Sequence, residues 1–251
     1  MIEDLAQVML KVTGAVMWFA PVAVFAALAS TITTEGLGIL LTFAKFMASF
    51  YLALALLWAV LTLAGVTFLG KRAFTLIRLI REPFLLSFAT ASSEAAYPKL
   101  LDALDRFGVN RKISSFVLPI GYSFNLDGSM MYCTFAVLFI AQVYGIHLPL
   151  GTQITMLLML MVTSKGMAGV PRASLVVIAA TLNQFNMPEA GLLLIMGVDM
   201  FLDMGRSATN AVGNSIAAAV VAKWEGQLDA PRDDDDSDGA RVAVKVRETS
   251  A

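Results

Sequence analysis

The chain has one cysteine, Cys133, and one histidine, His147, in 251 residues. Intramolecular disulfides are therefore excluded, and so is a zinc site built from clustered Cys and His. Charge is scarce as well: Asp, Glu, Lys and Arg together make up 15% of the residues, where about a quarter is usual in soluble domains. With a net charge of -1 there is no basic excess for nucleic acid, and runs of one sign are few. A basic leader is lacking too, because Met1 is followed by the acidic "IEDLAQ", and no cleavable signal is expected. What is present is apolar: 58% of the residues, with a mean hydropathy of +0.74. The composition indicates an all-α polytopic membrane protein.

About 20 apolar residues span a bilayer. "VTGAVMWFAPVAVFAALASTI" (12 to 32) and "ILLTFAKFMASFYLALALLWAVLTLAGVTFL" (39 to 69) read as plain spanning helices within a first region, 1 to 70. Residues 71 to 225 read differently. "SFATASSEAAYPKL" interrupts an apolar segment with Ser92, Ser93 and Glu94, which makes 73 to 112 a hairpin. The span 113 to 146 holds Pro119, Gly121, Asn125, Asp127 and Gly128 and should be a broken helix. Residues 150 to 187 are two short apolar halves around a Gly/Pro-rich tip, Ser164 to Ser174, a second hairpin. A continuous helix is expected over 189 to 224, and a disordered tail over 226 to 251 with its "RDDDDSDG".

Lys and Arg set the orientation. Lys71, Arg72, Arg78, Arg81, Lys99, Arg106, Arg111 and Lys112 mark a cytoplasmic side, whereas connections 33 to 38, 143 to 152 and 183 to 188 have no Lys or Arg and should face outward. The two hairpins then enter from opposite sides, each with its tip near mid-membrane and its irregular backbone lining a cavity. The C-terminus falls in the cytoplasm.

Within the last helix, "FLDMGRSATNAVGNS" carries a polar stripe. Asp199, Asp203, Arg206, Asn210 and Asn214 are spaced 4, 3, 4 and 4 apart and share one face. Each charge costs at least about 2.5 kcal/mol at the bilayer centre on insertion scales, so the stripe must face protein or a water-filled cavity. A structural Asp203–Arg206 pair is one reading. A binding site is the other: a guanidinium fork suits a carboxylate and an aspartate suits an ammonium, both present in an acidic amino acid.

"ASSEAAYP", "SFNLDGSMMY", "SKGMAGVPRAS" and "DMFLDMGRSATNAVGN" closely resemble the dicarboxylate/amino acid:cation symporter family, the glutamate transporter fold, over about residues 1 to 225. The resemblance implies spanning helices plus two oppositely oriented re-entrant helical hairpins, with the family's first four helices absent. It also implies no enzymatic activity, a small anionic substrate, lipid around the protein, Na+ or H+ as coupling ion without other cofactor, and a homotrimer in the inner (plasma) membrane where the full scaffold is present. By the same resemblance Arg206 would hold a substrate carboxylate and Asp203 the amino group. Asn210 and Ser129 match carboxylate contacts; Ser92, Ser93, Gly169 and Val170 match tip positions, and Ser207 is grouped with the substrate residues. One cation site falls on Gly121, Asn125, Asn210 and Asn214. A second falls on Ser123 with the carbonyls of Ser164, Lys165 and Met167. A third falls on Asn125 with Asp127, and needs residues of a helix this chain lacks.

Three positions depart from the family pattern. Asn214 stands where an acid is usual, Arg172 where glycine is common, and Ala91 where some members have arginine. Arg172 could contact an anion or snorkel. "SSEAAYP" and "GYSFNLDGS" look like the C4-dicarboxylate branch, but Asp203 would repel a dicarboxylate lacking an amino group, which favours aspartate or glutamate with C4-dicarboxylates as the alternative. An intramembrane aspartyl protease using Asp127 and Asp203, and a non-transporting remnant, are the remaining readings. His147 is expected to be solvated at the outer interface and Lys45 to snorkel.

Overall fold

In a computed structural model the chain is described over residues 36 to 231 except 166, together with 22, 25, 26, 29, 30, 32 and 33. Most of the span expected at 12 to 32, Gly166 and the acidic part of the tail lie outside the described residues. Helix α1 is Gly38–Leu69, 32 residues long, and Gly70 ends it with φ 64, a left-handed turn suited to glycine. The first hairpin follows. Its entering arm is α2 (Arg72–Leu79) and α3 (Arg81–Thr90), with the turn at Ile80 between them. Ala91 stops α3 in the left-handed region, a 3-10 turn covers Glu94–Ala96, and α4 (Tyr97–Phe107) returns.

The broken span consists of α5 (Arg111–Phe124), whose Asn110 side chain caps the first turn by accepting from the Lys112 N–H at 3.0 Å, and α6 (Asp127–Val143). The break lies at Asn125 and Leu126, where φ and ψ leave the helical range, five residues or more beyond Pro119. The second hairpin is α7 (Leu150–Thr163) and α8 (Ser174–Gln184) around an irregular 164 to 173 segment. Two features differ from expectation. The last span is not continuous: a short α9 (Gly191–Met196) is separated from α10 (Asp199–Trp224) at Gly197 and Val198, where the poor helix former glycine sits beside a β-branched residue. Residues expected in the tail are also held: the Gln227 carbonyl accepts from the Asn110 N–H at 3.2 Å, and the Asp229 N–H donates to the Gly108 carbonyl at 2.9 Å. Gly108 has φ 97, and a Cβ there would lie 2.4 Å from the Asp229 carbonyl oxygen, so only glycine fits.

Two apolar clusters hold this arrangement. One joins the first half of α1 to α6 and to the base of the second hairpin, with Phe46 stacked on Phe139 at 4.2 Å and Phe50 edge-on to Tyr132 and Phe135. The other joins Leu69, α2, α4 and Leu118 of α5 to the second half of α10. The hairpin bases thus belong to different clusters, while their tips meet between them. α1 lies along α10 through positions three and four residues apart on α1 and four apart on α10. Tyr51 donates to the Phe201 carbonyl at 2.5 Å, Leu54 approaches Gly205, and the Trp58 indole donates to Thr209 Oγ1 at 2.8 Å.

Candidate functional site

The polar stripe of α10 faces inward along its whole length. Asp199, Asp203, Arg206 and Asn210 have no exposed surface, and Asn214 has 1%. A guanidinium removed from solvent is tolerated only when its N–H groups are paired, and Arg206 meets that demand three ways. Its Nε donates to Asp203 Oδ1, its Nη1 to Ser129 Oγ at 3.0 Å, and its Nη2 to the Val170 carbonyl at 2.9 Å. The groups come from three elements: α10, the first turn of α6, and the tip of the second hairpin.

Glycine at 128 makes the α6 approach possible. A Cβ there would lie 2.3 Å from the Arg206 carbonyl oxygen, so α6 rests directly on the backbone of α10. Asn210 then serves both sides of the junction. Its Oδ1 accepts from the Gly128 and Ser129 N–H groups at 2.9 and 3.4 Å, satisfying donors that the start of α6 would leave unpaired, and its Nδ2 donates to Ser129 Oγ at 2.9 Å.

The hairpin tips close over this centre and touch each other. Ser92 Oγ donates to the Gly169 carbonyl at 2.8 Å, and the Gly169 N–H donates to Glu94 Oε1 at 2.9 Å. Gly169 is another forced glycine, since a Cβ would come within 2.5 Å of Ser93 Oγ. Tyr122 of α5 donates to the Ser93 carbonyl at 2.8 Å, fixing the first tip to the broken helix. Ser93 Oγ and Ser207 Oγ are buried without a hydrogen-bond partner among the described residues. Unpaired buried hydroxyls are donors and acceptors that a polar ligand could use.

One turn further along α10 lies a second polar group. Asn125, in the break, stands 3.0 Å from Asn214 and 3.2 Å from both carboxylate oxygens of Asp127, and an amide nitrogen turned toward the carboxylate satisfies this group best. Gly121 and Gly213 let the chains close here: a Cβ on Gly121 would lie 2.4 Å from Asn214 Oδ1, and one on Gly213 would lie 2.7 Å from Asp127 Oδ2. The oxygens are those of a carboxylate and two amides, donors of the hard type that suits a cation such as sodium. Asn210 belongs instead to the first group through its side chain. Ser164, buried, and Met167 begin the second tip, and Lys165 between them donates from Nζ to the Phe124 carbonyl, one residue from half-buried Ser123.

Residues outside the sequence-based site also take part. Asp199 Oδ1 accepts from the Tyr132 hydroxyl at 2.5 Å, and Arg172 Nε lies 3.5 Å from Asp199 Oδ2. The Arg172 backbone N–H donates to Asp203 Oδ2 at 2.7 Å. Asp199 was visible as the first member of the stripe, whereas Tyr132, although it closes the "SFNLDGSMMY" motif, has no partner legible in the sequence, because its contact depends on the α6–α10 packing. The Arg172 guanidinium is turned to Asp199, and Lys45 and His147 are exposed.

Comparison with known proteins agrees with these motifs. The model of the sodium:dicarboxylate symporter family matches residues 1–224. A proton/sodium-glutamate symport protein of Geobacillus stearothermophilus is 45% identical over 226 residues, covering 90% of this chain and 53% of the relative. The proton/glutamate-aspartate symporter of Escherichia coli (strain K12) is 45% identical over 228 residues, 90% of this chain and 52% of the relative. A C4-dicarboxylate transport protein of Pseudomonas savastanoi pv. phaseolicola is 43% identical over 230 residues, 91% of this chain and 50% of the relative. The chain spans about half the length of the curated relatives it matches. With the family model covering nine-tenths of its residues and the broken helix, paired tips and polar-faced α10 in place, the chain belongs to the sodium:dicarboxylate symporter family, whose members are integral membrane proteins.

Proposed function

We propose that this chain forms the transport core of a secondary symporter that couples movement of an acidic amino acid, aspartate or glutamate, to sodium or protons. The observation that carries this reading is the fully buried Asp203–Arg206 pair beneath two touching hairpin tips, with Ser129 and Asn210 beside it. Arg206 presents a planar fork for a carboxylate, and Asp203 offers an acceptor for an ammonium. In the closed arrangement these two groups satisfy each other. A ligand carrying both a carboxylate and an ammonium exchanges the internal pair for two external ones, so neither charge is left bare during binding.

The alternative substrate, a C4-dicarboxylate, leaves Asp203 facing a second anion. Glutamate and aspartate named among the relatives favour the amino acid, and the dicarboxylate relative keeps the alternative in view. The aspartyl protease reading gains no support: both Asp203 oxygens are taken by Arg206 and the Arg172 N–H, which leaves neither free to activate a water together with Asp127. The relatives' names describe symport and transport, not hydrolysis.

In this reading the two hairpins are re-entrant and enter from opposite faces of the inner membrane, with the C-terminus in the cytoplasm. The coupling cation is held near Asn125, Asp127 and Asn214, where the loss of an acid at 214 lowers the negative charge available to it. The second hairpin opens and closes over the substrate, because Val170 and Arg172 on its tip bond directly to Arg206 and Asp203. The core then carries substrate and cation across as one body. A homotrimer is the expected assembly where a scaffold is present.

Equilibrium binding of L-aspartate and of succinate to the purified protein tests the reading, with and without sodium and at two pH values. Sodium-dependent aspartate binding should weaken by at least about 30-fold in Arg206→Ala, the effect of losing one partner of a buried charge pair. Stronger binding of succinate would reverse the choice of substrate, and no binding by a folded preparation would leave a remnant that does not transport.

A further inference from the structure

Arg172 has two unusual properties that the transport reading does not use. It is a non-glycine residue in the left-handed region, with φ 64, in the segment between α7 and α8. Side chains avoid that conformation, so a structure that keeps an arginine there gains something from the guanidinium. The gain is visible at its other end: Nε lies 3.5 Å from Asp199 Oδ2, and Asp199 is wholly buried while the Arg172 side chain is about one-third exposed. Asp199 Oδ2 has no hydrogen-bond partner among the described residues, and Oδ1 is held by a neutral hydroxyl, Tyr132. The guanidinium is therefore the charge that balances this carboxylate.

The stripe now closes as two acids and two bases, Asp199 and Asp203 against Arg172 and Arg206. Without Arg172 the same wall carries one unbalanced negative charge buried beside the ligand, and it repels any ligand whose carboxylates outnumber its ammonium groups. The two arginines also differ in mounting. Arg206 is fixed on α10, while Arg172 sits on the hairpin tip and reaches Asp199 only when that tip rests against α10 through its N–H bond to Asp203.

We propose that Arg172 is a specificity-determining residue of this site: by neutralising Asp199 it sets the preference for net-anionic ligands over neutral ones of the same shape. The inference rests on the transport reading above and concerns the charge class the site accepts. It is tested by calorimetric binding to the purified full chain with ligand pairs differing by one charge, L-aspartate with L-asparagine and succinate with succinamate. Wild type defines which pair is used.

In Arg172→Gln the anionic member should bind at least tenfold more weakly, with the neutral member changed less than about threefold. Arg172→Lys should keep most of the preference, and Asp199→Asn added to Arg172→Gln should restore it. Arg172→Gly, which removes the backbone strain, should melt no lower than wild type while showing the same loss of preference, separating charge from folding. Equal weakening of both ligands, or no recovery in the double variant, overturns the proposal and leaves the transport reading standing. Failure of wild type to bind either anion overturns both.

Discussion

α1 and α10 are both long helices, yet each wears its surface the wrong way round for a protein in water. α1 is built from apolar residues and exposes them: Leu52, Leu56 and Leu63 are 73%, 68% and 67% exposed. α10 carries two acids, an arginine and two asparagines on one face and hides them all. The inversion follows from the surroundings. In hydrocarbon an exposed leucine loses nothing, and an unpaired polar group costs several kcal/mol, so polar residues gather where they can bond to one another. Close packing, rather than expulsion of water, must then hold the helices together, which is why glycines 121, 128, 169, 205 and 213 stand at close approaches to or from α10 and the tips.

The contrast can be broken most severely where α6 meets α10. Gly128→Val places side-chain carbons against the Arg206 carbonyl oxygen, which cannot yield without moving the helix. A cost above about 3 kcal/mol is expected, seen as loss of the monodisperse peak in size-exclusion chromatography. On the other helix the sensitive change is one of charge. Leu56→Arg should reduce membrane insertion by about 2.5 to 3.5 kcal/mol on insertion scales, read as the inserted fraction in a glycosylation-mapping assay, whereas full insertion would place that face against protein or water. Between the two helices, Trp58→Phe removes the hydrogen bond to Thr209 and should lower stability by about 1 kcal/mol, or roughly 2–4 °C in Tm. Leu52→Met, on the outer face of α1, should shift stability by less than about 0.5 kcal/mol, and a larger loss would mean that the face is covered.

Periodicity made much of this legible. Spacings of 3 and 4 show that Asp199, Asp203, Arg206, Asn210 and Asn214 share a face, and the polar interruptions at Ser92 to Glu94 and Ser164 to Ser174 lie at the observed tips. Periodicity says nothing of what that face meets. The bond between Ser92 and Gly169 crosses 77 residues of chain, and Tyr132 finds Asp199 across 67, so neither pairing leaves a local signal. Arg172 was conspicuous as a bulky residue where glycine is common, but its direction depends on how the tip is seated. The step at Gly197 and Val198 was hidden because the apolar pattern runs through it unbroken. The held residues after α10 were hidden by their polarity, which resembles that of the tail; their order comes from backbone bonds to Gly108 and Asn110, reinforced by Arg72, which donates to the Asp229 carbonyl.

The indole of Trp58 gives the molecule a built-in optical gauge. Its N–H ends on Thr209, between Arg206 and Asn210 in the chain, while its ring is edge-on to Phe84 of the first hairpin at 5.4 Å. Any sliding of α10 along α1 must break that bond and change the polarity around the ring, shifting emission wavelength without an attached dye. Trp224, 68% exposed at the far end of α10, emits from a different setting and supplies an internal reference. With the third tryptophan, Trp18, replaced by Phe, movement of the site helix can thus be followed in unlabelled protein, by the colour of one tryptophan against another.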